Sequence, residues 1–593
     1  MSKHGEQFKA VMAPAVGINQ NDPINLISDQ AWSDGNNVHF GPGYVEKVRG
    51  YVKFLNQATP RAPGTAYKLG EYVTPDEANT HIYKCAAAGT TGSAAPTWPT
   101  DAGETVTDGG VTWLEVGVNQ LSGFPMAIDN YYKFNGDSYL LFITTTKIYN
   151  YNVTDNTAVD ITGGTLSGVV DQPVFTENAQ NYFVFTNGVD PVKYWTGTGN
   201  IADLPGLADC VPWNDGTPVT SVVAKCLLYF DQFLILGGTT ENSVAYPQRL
   251  RWSAVGDITK WKNTNQATQD LQAGWADMTD GVDWIQALAT IGNYIVAYKE
   301  RSVQVVTYVG GDEIFDKWPA IEGTGLLAPK ALMDLGDEHI FVGPDNIYSF
   351  DTREVKIAGD DIAKQFINNL DPARTSLTTC FYHEETPEGG FSFVSTSSPN
   401  DMPDKAIVYE PDIKAWSWRD LPMLCFGYYN LVDNPVWDTQ EQQWGDSDFE
   451  WNASANLANA PINLCSDAQG YIYKFYGNSC DGEDLSCFIQ TKLFDFGDPV
   501  LMKRLTRMQL MLSHEEPNYK LSVYVGVSNG MVDSPTDLTW YGPYYMGLDN
   551  PSPPWIDFDI TARYAMFKFG TLHKDESWRL TGYIVYYQMR GPM

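Results

Sequence analysis

His339-Ile340-Phe341-Val342-Gly343-Pro344-Asp345-Asn346-Ile347-Tyr348-Ser349-Phe350 decides the reading of the fold. Two short apolar and aromatic runs flank Gly-Pro-Asp-Asn, where Gly and Asn tolerate left-handed backbone and Pro fixes its own φ. Such a stretch predicts a β-hairpin.

The same design recurs on both sides. Tyr139 to Ile143 runs through a Thr-rich turn into Lys147 to Tyr151, and Tyr182 to Phe185 turns at Asn187-Gly188 before Val192 to Trp195. Tyr294 to Tyr298 pairs naturally with Ser302 to Val306, and related second strands follow at Ala406 to Tyr409 and Tyr471 to Phe475. That makes at least six copies, with a seventh suggested at Arg249 to Trp252. Ile148 to Val192 and Val303 to Ile347 are both 44 residues apart. A period of about 40–50 residues is what four-stranded propeller blades produce. The copies lack the Leu ladder or Gly-Asp spacing of a solenoid.

The expected fold is therefore all-β: an irregular β-propeller over residues 118–488, with an N-terminal segment, 1–60, joining it. Two stretches stand outside the repeat. Residues 61–117, bounded by Pro60 and Pro63 and rich in Ala, Gly and Thr, predict a small inserted β module. Residues 489–593 alternate strongly, as in Leu521 to Val525 and Gly582 to Tyr587, and predict a C-terminal β-sandwich. Helix is scarce, the best stretch being Asp360 to Leu370 around Ile362 and Phe366.

Composition agrees. The 593 residues include 34 Tyr, 18 Trp, 52 Gly and 34 Pro, which suits many short strands joined by tight turns. Asp and Glu number 72 against 38 Lys and Arg, a formal charge of −34, so wrapping DNA by counterion release is disfavoured. The eight cysteines show no Cys-x-x-Cys pair, and reduced, mostly buried thiols are expected. Met1 to Gln20 lacks the apolar core of a signal peptide, and no run of about 18 apolar residues occurs, so a cytosolic site of synthesis and assembly is expected.

The chemistry search yields no catalytic, cofactor-binding or metal-ligating set. There is no Gly-x-x-x-x-Gly-Lys-Ser/Thr loop, no Gly-x-Ser-x-Gly elbow, and His383-Glu384-Glu385 lacks a second histidine four positions on. His383 is expected in a surface loop, and the chain is not expected to be an enzyme. In the module, Tyr67, Tyr83, Trp98 and Trp113 offer flat rings for stacking on sugars. A unit this small needs aromatics inside, so Tyr83 and Trp113 are read as its core and Trp98, with Tyr67, as glycan contacts.

Gly17-Ile18-Asn19-Gln20-Asn21-Asp22-Pro23, Ser33-Asp34-Gly35-Asn36-Asn37-Val38-His39-Phe40 and Gly43 to Tyr51 resemble the amino terminus of podophage tail nozzle proteins, the tail tubular B or packaged-DNA stabilisation family. Where that family carries Arg-Pro-Gly, this chain has Val48-Arg49-Gly50. Gly64 to Tyr67, Gly89 to Gly92, Pro96 to Pro99 and Asp108 to Trp113 resemble a carbohydrate-binding-like module inserted in phage virion proteins. The resemblance implies a homohexameric ring below the phage adaptor, the head-to-tail connector. Its channel would retain packaged double-stranded DNA and later pass it without sequence-specific binding. It also implies location in the short tail of the virion, assembly in the bacterial cytoplasm, and contacts with tail fibres or internal ejection proteins. Acidic walls would keep DNA from adhering, and loops at the distal end would gate the channel. The alternative is a glycan-binding or glycan-degrading tail protein whose partner is a host-surface glycan, and a cellular propeller scaffold is a third reading.

Overall fold

The computed structural model describes residues 7–77, 79–209, 219–261, 272–279, 281–311, 314–383, 386–430, 461–513, 520–547, 555–574 and 576–590. Among them the chain builds seven successive four-stranded antiparallel blades. The first runs Pro125–Tyr132, Ser138–Thr144, Ile148–Asn152 and Thr157–Asp160. The sixth runs Thr379–His383, Glu388–Phe393, Lys405–Glu410 and Ala415–Asp420. The hairpins legible in the sequence are strands two and three of their blades, the stretch where both faces pack against neighbouring blades. Arg249 to Trp252 lies in the third strand of blade 3, so the suggested seventh copy is a blade.

The first strand of each blade is innermost, and those of blades 1, 2, 3 and 4, and of 5, 6, 7 and 1, touch in ring order. Where blade 7 meets blade 1, the two backbones approach closely. A Cβ on Gly427 would stand 2.3 Å from the Ile128 carbonyl oxygen, so a residue without a side chain is required there. Apolar and aromatic side chains fill the spaces between blades, for example Leu141, Phe183 and Trp195 between blades 1 and 2. The short helix Ala363–Asn369 buries Phe366, as its spacing predicts.

The N-terminal segment departs from expectation. Of residues 1–60, Tyr51–Lys53 enters the propeller, as the fourth strand of blade 7 beside Ile472–Phe475. The strands before it belong to the sandwich. Gln7–Met12 and Tyr44–Lys47 pair with Arg579–Arg590, and Trp32–Asn36 pairs with Cys487–Thr491. The physical reason is that alternation fixes which face a strand buries and says nothing about its partner. The sandwich is thus built from both ends of the chain, while an N-terminal strand closes the ring.

The sheet of the module includes Thr59–Pro60, which pairs with Tyr72–Thr74, and extends to Val111–Val118. His81–Ala87 and Val111–Val118 form its central pair, and a single pairing of Val118 with Ala158 makes its sheet continuous with the outer strand of blade 1. Five of the cysteines are buried, Cys380 and Cys480 are half-buried, and all seven are free thiols; Cys210 lies outside the described residues. No helix of the described residues is long and apolar enough to cross a membrane.

Candidate functional site

Closing the ring brings charged side chains from distant blades to the axis, where Asp129 and Lys330 line a cavity of about 410 Å³ and Glu177 lies within electrostatic reach of both. Asp129 interrupts the apolar run Ala127-Ile128 in blade 1, Glu177 follows Phe175-Thr176 in blade 2, and Lys330 follows Pro329 ahead of blade 5. Burial pushes the Asp129 carboxyl up, although Thr176 and the Asn130 amide hydrogen-bond to it. Burial, helped by the Asp129 charge, pushes the Glu177 carboxyl up to about 8. Burial pulls the Lys330 ammonium down against the attraction of both acids. The Lys330 Nζ sits 4.2 Å from the centroid of the Phe175 ring. None of the three was singled out in the sequence. The available signal was a charged residue breaking an apolar strand, which is weak because surface strands do the same.

A second cluster joins the sandwich to the propeller. His39, on a sandwich strand, points its Nδ1 at Glu388 Oε2 (3.0 Å) and Glu410 Oε1 (2.9 Å) of blade 6. Both neighbours are acceptors, so Nδ1 carries the hydrogen and donates. Arg419 donates to both Glu388 oxygens, and His383 Nδ1 lies 3.2 Å from Glu388 Oε1. His383 is therefore not in a surface loop. It ends a blade strand, 5% exposed, because its ring packs between Phe381 and Phe475 and its nitrogen meets Glu388. His39, Glu388 and Glu410 lie close enough to share a divalent metal. Both Glu388 oxygens already serve a guanidinium, however, and a cation beside Arg419 would be repelled, so the set is an ionic joint.

Burial works against the charge on His39, but the hydrogen bonds to the two carboxylates raise it to about 10. A cation stabilised by folding contributes fully below its unfolded value near 6.5 and is lost as pH climbs through about 10. His39→Gln is therefore expected to cost about 3 kcal/mol at pH 6 and little at pH 10. Urea unfolding of both proteins across that range checks it, and a pH-independent difference rejects the joint.

In the module the four aromatics lie together. Tyr83 and Trp113 are fully buried, as expected. Trp98 and Tyr67 are half-buried and pack on them: Tyr83 and Trp98 centroids are 4.4 Å apart, Tyr67 and Trp113 5.0 Å. The expected glycan contacts thus serve the interior of the module, because a unit of this size has few aliphatics to bury. Trp98→Ala should cost about 2 kcal/mol, less than a fully buried Trp, read as a lower melting temperature. Beneath, Arg61 is clamped by Asp108 through Nε (2.7 Å) and Nη2 (2.9 Å), with Trp113 Nε1 also donating to Asp108.

A polar crevice of about 330 Å³ runs between the module and blade 1, lined by His81, Asp101, Glu115, Asp160 and Asn200 among others. Glu115 is 2% exposed; its Oε1 accepts from His81 Nδ1 (2.7 Å) and the Gly117 amide (2.9 Å), while its Oε2 has no partner. Trp98 anchors the loop that brings Asp101 to this crevice.

No family model and no curated protein matches the chain. Among solved structures it is similar to the WD40 domain of Neurospora crassa Pan2, at 9% identity over 60% of this chain and 89% of that one, with a TM-score of 0.33. It is similar to BamB from Moraxella catarrhalis at 9% identity over 72% and 97%, TM-score 0.33. It is similar to a streptogramin B lyase at 11% identity over 60% and 95%, TM-score 0.34. The likeness concerns the fold alone. The blade count and ring closure rest on the strand pairing of this chain.

Proposed function

We propose that the chain is a structural subunit of a short-tail bacteriophage nozzle, assembling with its own copies into a hexameric ring on the adaptor. Its channel would hold packaged DNA and then conduct it, with fibres or internal ejection proteins as further partners.

The observation that carries this reading is where the nozzle-like stretches fall. They are the staples between sandwich and propeller. Gly17, at φ +95°, lies where a Cβ would stand 2.9 Å from the Ala415 Cβ and the Trp416 nitrogen. The Ile18 amide donates to the Trp416 carbonyl (3.0 Å), and the Asp420 amide donates to Asn37 Oδ1 (2.9 Å). His39 makes the ionic joint. A subunit that withstands internal pressure needs such a joint, because peeling one chain end would open the fold. The net charge of −34 supports a conduit that DNA slides along without sticking. No catalytic residue is assigned.

Negative-stain microscopy with mass measurement, alone and with the adaptor ring, tests the reading. A six-fold ring with an axial channel is expected. A monomer or trimer that never joins the adaptor overturns it.

The second reading, a glycan-binding tail protein, is favoured by the crevice under the module, where the unpartnered Glu115 oxygen and Asn200 suit vicinal hydroxyls. Incubation with host polysaccharide tests it, with retention on the polysaccharide or release of reducing ends as the supporting result.

A further inference from the structure

The axial cavity is more than the hollow every propeller leaves at its centre. Lys330 starts from blade 5, where its carbonyl accepts the Cys380 amide of blade 6 (2.9 Å). Its side chain then crosses the axis to the Phe175 ring of blade 2. Among the described residues no carboxylate comes within ion-pair distance of this ammonium, although Asp129 and Glu177 act on it through space. The half-buried ammonium, with only a ring face beside it, is therefore free to meet a ligand that enters the cavity.

The chemistry of the walls narrows what belongs there. A simple anion would face Asp129, and a simple cation would face Lys330. An apolar ligand would strip water from both and replace it with nothing. A molecule offering both an anionic oxygen and hydroxyl donors satisfies Lys330 and Asp129 together. The volume, about 410 Å³, lies within the usual range for small-molecule pockets, about 300–1,000 Å³, and Phe175 with Tyr382 supplies apolar wall for the C–H face of a ring.

We infer that the axial cavity binds a sugar acid, with its carboxylate on the Lys330 ammonium and a hydroxyl on the Asp129 carboxylate. The carboxylate forms the charge-assisted bonds that the lysine lacks, and the hydroxyl donates to the acid that would otherwise repel the ligand.

Calorimetric titration of the full chain with D-glucuronate, D-galacturonate and D-glucose tests this. At least one of the two acids should bind, and glucose should bind at least about tenfold more weakly, because it lacks the carboxylate. Lys330→Met should lose at least about tenfold in affinity for the acid, while Lys330→Arg keeps most of it. If Lys330→Met melts early, Lys330→Gln carries the same comparison. Three outcomes overturn the inference: no heat from either acid up to about 10 mM, glucose binding as tightly as the acids, or neutral variants at position 330 binding like the parent.

Discussion

Protein expressed without residues 1–54 is expected to lose its cooperative unfolding transition and its near-ultraviolet circular dichroism. The deletion removes strands from both sandwich sheets and the closing strand of blade 7. Val11, Ile18, Trp32, Val38, Phe40 and Val45 go with them, all buried in the core that runs from the sandwich into the blades. At about 1.5–3 kcal/mol for each large apolar side chain, six such losses sum to about 10–20 kcal/mol, as much as the whole stability of a typical folded protein, about 5–15 kcal/mol. The remaining sheets would also expose unpaired edges, a template for aggregation. Supplying residues 1–54 as a separate peptide should restore the transition. A truncated chain that unfolds sharply at the parent midpoint would show that the N-terminal strands decorate the fold and do not hold it.

That dependence was the part of the architecture least legible from sequence. The repeat was readable because strands two and three of each blade are packed on both faces, so residues such as Phe341, Val342 and Tyr348 keep an apolar and aromatic character through every copy. The outer strands were not, since Ala202–Asp203 and Val355–Ile357 face solvent and carry no period. The partner of Trp32–Asn36 lies more than 400 residues away, and nothing local in its pattern names Cys487–Thr491.

The sites followed the same rule. Tyr83 and Trp113 could be placed inside the module from its size alone. Trp98 was harder, because a Thr-Trp-Pro loop looks exposed until the Tyr83 ring lying against it is seen. Asp129, Glu177 and Lys330 come from three blades, and what makes them notable is ring closure, which no window of sequence contains.

Arg419→Met is expected to cost about 3–5 kcal/mol at pH 8, the penalty for breaking a buried pair by removing one partner. The parent joint balances two carboxylates, Glu388 and Glu410, against the Arg419 guanidinium and the His39 cation. Arg419 holds Glu388 well below the ordinary range despite its burial, while burial and the Glu388 charge push Glu410 up. With the guanidinium gone, two buried carboxylates face each other and one must take a proton for the fold to persist. The sign with pH follows. In the parent, the depressed Glu388 contributes stability above its unfolded value near 4.5, and that contribution fades as pH falls further. In the variant the same carboxyl lies above its unfolded value, so the folded state gains protons and recovers stability on acidification. The difference between the two should shrink steadily from pH 8 to pH 5 in urea unfolding. Glu388→Gln placed on the Arg419→Met background should recover most of the loss at pH 8, since it removes the stranded charge. A difference that stays constant with pH, or a double variant no better than the single, would mean that Arg419 acts there through its packing and not through its charge.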